Sequence, residues 1–374
     1  MMTWSFRIGR VRGIDIFVHW TFLLFLGFIF TLYLFKGGGV GMAVQGAGFL
    51  LALFGCVLLH ELGHALMAQQ FGIGTKDIIL LPIGGVARLR RMPEKPWQEL
   101  LVALAGPAVN VVIAIVLGCV LIFQGGLEAF HGIEIGGGNF LLSLAAANVV
   151  LVVFNMIPAF PMDGGRVLRA LLASTMDYVA ATRIAAGIGK ALAVVFGFAG
   201  LIWLSNPLLV FIALFVFLGA QAEADAVQTN QSLRGLRVGD AMLTRFRTLV
   251  EADTLENAAR ELLAGSQHDF PVMRSDKVVG ILTRPQLVRG LAEAGRDAAV
   301  MDFMIRGCPP LGESDPIEAA LGMIREAGVT NIPVLRDGTL VGLLTAENLQ
   351  ELVMVRGALD RKPADVARPM PGRS

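Results

Sequence analysis

His60 and His64, four residues apart with Glu61 beside the first, lie inside an apolar run from about Gly41 to Phe71. On a helix such a pair stands one turn apart on one face, about 6 Å along the axis, so both imidazoles reach one metal ion. H-E-x-x-H in this setting is the pattern of a metal-dependent hydrolase. Two His ligands hold zinc, and the Glu beside the open coordination position is the general base toward water. The pattern is short enough to arise by chance in a soluble helix. In a membrane-length segment, however, each ionisable group costs roughly 2.5–3.5 kcal/mol on insertion scales, and a bound cation offsets that cost.

A catalytic zinc usually takes three protein ligands and leaves one position open. The segment Asn155-Met156-Ile157-Pro158-Ala159-Phe160-Pro161-Met162-Asp163-Gly164-Gly165, at the end of a later apolar run, offers the third. Its prolines break the helix and its glycines allow a sharp turn and close packing. Non-helical backbone at membrane depth is tolerated only where protein buries it or water lines it, so Asp163 points into a cavity. The alternative is that Asp163 caps a helix beginning near Arg166. Cys56, four residues before His60 and on its face, is either a fourth ligand or a small buried apolar residue. His19, His131 and His268 have no metal partner at suitable spacing and read as packing, loop and domain-surface residues.

The elements that must hold these groups are membrane helices. Hydrophobic residues make up 55% of the 374 residues and the mean hydropathy is +0.66, beyond the usual soluble range. Six spans are expected: Ile16 to Phe35, Gly41 to Phe71, Gln98 to Phe123, Asn139 to Ile157, Ile184 to Leu204 and Pro207 to Ala220. Arg7, Arg10 and Arg12, then Lys76, Arg88, Arg90, Arg91 and Lys95, then Arg166 and Arg169 fall on one side of them. Lys36 is alone in the first opposite loop, and Gln124 to Gly138 carries no Lys or Arg. The positive-inside rule then makes both termini cytoplasmic. The first span lacks a small-residue cleavage site and reads as a retained helix. A net charge of +1 gives no reason to expect nucleic acid. Cys56, Cys119 and Cys308 are odd in number and widely spaced, so reduced thiols are expected.

Ile78 to Leu81 and Val86 to Leu89, joined by Pro82-Ile83-Gly84-Gly85, read as a hairpin beside the active-site helix. It is either a strand edge that pairs with substrate or an ordinary packing loop. Gly106, Pro107, Ala108 and Asn110 let the third span approach the catalytic one closely. Asn110 either bonds across that interface or fills a polar gap.

H-E-x-x-H in a transmembrane helix, followed by N-x-x-P-x-x-P-x-D-G-G at the end of a later one, resembles the site-2 protease family of intramembrane zinc metalloproteases, over about Trp4 to Ala226. The resemblance implies one zinc per chain held by His60, His64 and Asp163. It also implies Glu61 as general base, and Asn155 as a group that binds substrate or stabilises the oxyanion. Family substrates are transmembrane proteins cut within or near the bilayer, here a single-span protein.

The remainder is a repeat. Asp240 and Asp302, Met242 and Met304, Asp253 and Asp315, Pro271 and Pro333, and Gly280 and Gly342 all stand 62 positions apart, which implies two similar packed units. They resemble a tandem pair of cystathionine-β-synthase (CBS) domains, a family that often binds adenine nucleotides between the copies, with Thr283 and Thr345 as candidate cofactor-binding residues. The family's ribose pattern places Asp three residues after the Thr or Ser; here Gln286 and Asn348 stand there. Nucleotide binding and a structural role that builds a homodimer are both open.

The expected architecture is a polytopic α-helical membrane protein of about six transmembrane helices, with a small membrane-associated β-hairpin and a C-terminal α/β CBS pair. Its parts are a metalloprotease domain at 1–226, a linker at 227–237, CBS domains at 238–292 and 300–355, and a disordered tail at 356–374. Two other readings carry different signatures. A CBS-regulated metal transporter wants ligands at several depths, and a proteolytically silent scaffold would lack the base at Glu61.

Overall fold

The computed structural model describes residues 4–35, 37, 39–89, 93, 95–125, 139–203, 205–327 and 331–359. Lys36, Arg90, Arg91, His131 and most of the 124–138 loop and of the tail therefore lie outside the described residues. The chain divides into two units, Met1–Val227 and Gln228–Ser374.

The first unit opens with two antiparallel strands, β1 (Ser5–Val11) and β2 (Ile14–His19). Arg12 and Gly13 between them both have positive φ, the backbone of a two-residue hairpin turn. The first apolar helix thus begins at Trp20, not Ile16. The alternation Ile14, Ile16, Val18 buries one face of a strand, a period that an apolar count over the same stretch hides. Helices α1 (Trp20–Phe35) and α2 (Gly39–Gln70) follow, then β3 (Thr75–Leu81) and β4 (Gly84–Leu89). The expected hairpin is present, but as half of a sheet with strand order β1-β2-β3-β4, in which β2 and β3 run parallel and β4 is an edge. Ile14 and Ile78 of the sheet pack on Leu62 and Ala65 of α2; Val18 and Leu80 pack on Phe54 of α2 and Phe22 of α1. The sheet is thereby seated on the H-E-x-x-H helix.

Helix α3 (Pro96–Gly125) and helix α4 (Phe140–Asn155), N-capped by Asn139, complete the surroundings of α2. After a non-helical segment, α5 (Asp163–Ala173) starts at Asp163 itself. Helix α6 (Tyr178–Phe198) is capped by Asp177, begins six residues before the expected span at Ile184, and ends in a π-helical turn, Ala199–Trp203. Helix α7 (Pro207–Leu233) continues well past Ala220, because the polar stretch that ends the apolar run is rich in Ala and Gln, both good helix formers. Helices α2, α3, α6 and α7 are long and apolar enough to cross a membrane; α1 and α4 are shorter apolar helices. At 16 residues each, these span about 24 Å.

Arg169, counted above among the loop cations, is fully buried. Its guanidinium pairs with Glu99 of α3 and with Glu223 of α7 and lies over the rings of Phe160 and Tyr178. This ties the helix that begins at Asp163 to two neighbours.

The second unit follows the repeat. A short helix, α8 (Val238–Ala241), leads into β5 (Leu249–Val250), α9 (Leu255–Ala264), β6 (Phe270–Arg274), β7 (Lys277–Leu282), α10 (Arg284–Ala294) and β8 (Ile305–Arg306). Then come β9 (Leu311–Gly312), α11 (Ile317–Ala327), β10 (Asn331–Arg336), β11 (Thr339–Thr345) and α12 (Ala346–Leu359). The sheets have orders β5-β6-β7-β8 and β11-β10-β9. The copies exchange their opening residues: Leu236, Val238 and Ala241 enter the core around Ile317 and Ile332, while Val300 and Met304 enter the core around Leu255 and Phe270. The reciprocal bonds from Val238 N–H to Asp315 and from Val300 N–H to Asp253 repeat the 62-residue offset. Helix α12 runs to Leu359, so 356–359 is helical where the sequence suggested a disordered tail.

Candidate metal centre

Helix α2 brings His60 and His64 to one face, as their spacing requires, and α5 presents Asp163 to the same point. Nε2 of His60 and Nε2 of His64 are 3.1 Å apart, and Oδ2 of Asp163 is 3.2 Å from the first and 3.1 Å from the second. Zinc with bonds of about 2.0–2.1 Å in a regular tetrahedron has ligands about 3.3 Å apart. The three atoms therefore approximate one face of such a site and leave a vertex open. All three residues are buried, at 6%, 5% and 7% exposure. This is the one metal-capable group of three among the described residues.

The donor chemistry also fits a metal. Nδ1 of His64 lies 2.7 Å from the carbonyl oxygen of Val102, which only accepts, so Nδ1 carries the proton and Nε2 offers a lone pair. Acceptor atoms this close, out of water, repel one another unless a cation lies among them. Small residues on α3 make room for it. A Cβ added to Gly106 would sit 2.2 Å from Nε2 of His64 and 2.7 Å from Nε2 of His60, so only glycine lets α3 approach the imidazoles this closely. The residue at 106 is small because the ligands occupy the space.

Glu61 stands outside the triangle. Its Oε2 accepts the N–H of Ala87 on edge strand β4 at 3.0 Å, and a Cβ on Gly85 would collide with its Cγ at 2.6 Å. Asn155, the last residue of α4, shares with His60, Glu61, Gly84, Gly85 and Met162 a cavity of about 200 Å³. Glu61, Asn155 and His60 of the triangle thus line one small space. Asp163 is the first residue of α5 and makes no cap: the N-cap is Met162, with no side-chain bond. Cys56 lies outside the metal group, where its Sγ accepts from Asn148 at 3.4 Å. His19 bonds Thr21, away from the centre. All three cysteines are free thiols, and burial pushes the Cys308 thiol up, away from reactivity.

Sequence reasoning missed Asn148, the Val102 carbonyl, and the contacts of Gly85 and Ala87 with Glu61. A polar residue in the middle of an apolar helix was the available signal for Asn148. The backbone contacts had none.

In the second unit, Thr283 and Thr345 both line a cleft of about 700 Å³, together with His268, Asp269, Asn331 and Asn348. Asp269 and Asn331, 62 positions apart, meet there at 2.5 Å. The hydroxyl of Thr345 bonds the Asn348 side chain at 2.6 Å. His268 thus lines the cleft, although its side chain is half-exposed.

The model of peptidase family M50 matches residues 48–136 and 131–196, and that of the CBS domain matches 238–293 and 300–354. The chain is 32% identical to the zinc metalloprotease MJ0392 of Methanocaldococcus jannaschii, over 93% of this chain and 96% of that protein. It is 28% identical to Rip3 of Mycobacterium tuberculosis, over 97% and 96%. A solved site-2 protease from Methanocaldococcus jannaschii, 40% identical, matches 59% of this chain and 95% of its own with a TM-score of 0.44. The buried triad and the carboxylate of Glu61 beside it thus sit in a chain that belongs to the M50, or site-2 protease, family of zinc metalloproteases and carries a C-terminal CBS pair.

Proposed function

We propose that His60, His64 and Asp163 hold one zinc ion and that Glu61 is the general base in hydrolysis of a peptide bond of a single-span transmembrane protein. The observation that carries this reading is the 3.1–3.2 Å triangle of ligand atoms with Glu61 and Asn155 on the same cavity. Zinc in that position supplies Lewis acidity to a peptide carbonyl and makes water a better nucleophile. Glu61 takes the proton from the attacking water and returns it to the leaving amine. Asn155 donates its amide N–H to the carbonyl oxygen as charge develops there. The N–H of Ala87 holds the Glu61 carboxylate in place, and the tight packing of Gly85 against it keeps the two elements together.

Substrate enters as an extended segment alongside β4, the sheet edge next to Glu61, because a transmembrane helix must unwind before its backbone reaches a catalytic group. The short α1 and α4 cross the bilayer with the four longer helices, giving six spans and cytoplasmic termini. With Arg169 buried, the orientation rests on Arg7, Arg10, Arg12, Lys76, Arg88, Arg90, Arg91, Lys95 and Arg166, of which Arg88 is paired with Asp77 and Arg7 and Arg10 with Asp15. The CBS cleft takes a regulatory ligand. An adenine nucleotide binds there only weakly, because Asn348 on the cleft lining offers a neutral group where a carboxylate would make charge-assisted bonds to ribose.

Membrane proteomics with wild-type and Glu61→Gln chains tests the reading. Truncated single-span proteins should be present with the first and absent with the second, with their full-length forms accumulating. An unchanged pattern of truncated forms would reject it.

A further inference from the structure

His60 has a second ring nitrogen, and its surroundings determine which nitrogen carries the proton. Nδ1 of His60 lies 2.5 Å from Oδ1 of Asn110 on α3. Nδ2 of Asn110 donates to Oδ1 of Asn148 on α4 at 2.8 Å. Nδ2 of Asn148 donates to the main-chain carbonyl of Leu144 at 2.8 Å and to Sγ of Cys56 on α2 at 3.4 Å. Both amides are fully buried.

The chain has a direction, and a backbone atom imposes it. Amide nitrogen and oxygen are distinguished by their partners, and the carbonyl of Leu144 only accepts. Asn148 must therefore turn its nitrogen toward Leu144 and its oxygen toward α3. That oxygen accepts, so Asn110 must present nitrogen to Asn148 and oxygen to His60. Facing an acceptor, Nδ1 of His60 is the protonated nitrogen, and Nε2 presents its lone pair to the triangle with His64 and Asp163. In the reversed chain an N–H of His60 would occupy the space between the ligand atoms and exclude a metal.

We propose that Asn148 and Asn110 are positioning residues that set the tautomer of His60 and thereby the zinc affinity of the centre, with Asn148 acting only through Asn110. Asn148 bonds neither His60, Glu61 nor Asp163. Cys56 is the terminal acceptor of the same chain, which accounts for a thiol on the ligand face of α2 that does not ligate. The inference rests on the zinc reading above, and it adds a control point on a helix that bears no ligand.

The test is zinc affinity, measured by chelator competition on the full chain in detergent, with the absorption spectrum of the cobalt-substituted protein as a second readout. Asn110→Leu should weaken zinc binding about 10- to 100-fold, the usual cost of losing an outer partner of a ligating His. Asn148→Leu should weaken it by a smaller factor, roughly 3- to 10-fold, because Asn110 is then free to turn. The double variant should bind no more weakly than Asn110→Leu alone. Asn110→Asp keeps shape and the acceptor toward His60 and, in its protonated form, still donates to Oδ1 of Asn148, so it should retain affinity even if the leucine variants fold poorly. Unchanged affinity in folded Asn110→Leu, additive losses in the double variant, or a loss in Asn110→Asp equal to that in Asn110→Leu would each overturn the proposal. A wild-type chain that takes up no zinc would overturn the metal reading first, and this one with it.

Discussion

The metal centre and the CBS cleft are both built where polar side chains from separate elements meet, yet they differ in tolerance. At the centre, three ligand atoms lie within 3.2 Å of one another beside a cavity of about 200 Å³. Gly63 of α2 and Gly106 of α3 let these two helices approach closely there. The cleft holds about 700 Å³, and Asn348 on its lining is an amide where the CBS pattern has a carboxylate. A metal fixes bond lengths to tenths of an ångström and so fixes residue types at each position. A cleft of that size sets no comparable distance requirement on the residues that line it.

The contrast is broken most directly at the centre itself. His60→Ala, His64→Ala and Asp163→Ala should each lose most of the one zinc per chain by elemental analysis, whereas Glu61→Gln should keep the zinc and lose hydrolysis by about 10²–10⁴-fold. Full zinc in the Asp163 variant would remove that carboxylate from the ligand set, and near-normal cleavage by Glu61→Gln would remove the base.

Next in size is Gly106→Ala. One added methyl group, placed 2.2 Å from Nε2 of His64, should displace α3 and abolish stoichiometric zinc binding. The same substitution at Gly118, with nothing within 4 Å of its Cβ, should leave zinc unchanged. Equal zinc in both variants would mean that the centre is far more compliant than its packing implies.

Asn155→Ala should lower turnover by about 10²–10³-fold, as oxyanion-donor deletions do, while zinc content stays near one. Parallel loss of metal and turnover would make Asn155 a structural residue. The smallest effect belongs to the cleft. ATP, ADP or AMP titrated into the full chain by calorimetry should bind weakly, and Asn348→Asp should tighten the complex by roughly tenfold if the charge-assisted bond is what is missing. Tight wild-type binding, unaffected by the carboxylate, would show that this cleft reads the ribose by other atoms.

The ease of reading each region tracks the same difference. The H-E-x-x-H pair, the helix break before Asp163 and the 62-residue repeat were all legible, because each is a local spacing rule: i, i+4 on a helix, proline and glycine at a break, equal offsets in a duplicated unit. Strands β1 and β2 were not anticipated. Ile14 and Val18 pack on a helix some forty residues away in sequence, and local hydropathy reads Ile16 onward as the start of a span. Arg169 was read as a loop cation, while the fold buries it between Glu99 and Glu223, which lie far from it on either side in the chain.

The sequence by itself determined the three residues, His60, His64 and Asp163, that the fold brings together, the carboxylate of Glu61 beside them, the membrane class of the first unit and the duplication in the second. These follow from residue type, period and composition, which are properties of the chain. Only the tertiary structure decided that the hairpin is half of a four-stranded sheet, that the CBS copies exchange their opening residues, and that the carbonyls of Val102 and Leu144 govern the two histidines. The first two are pairings between distant segments, and many pairings satisfy the same local pattern. The last depends on main-chain carbonyls, which every residue carries alike, so no residue type reveals which of them faces an imidazole.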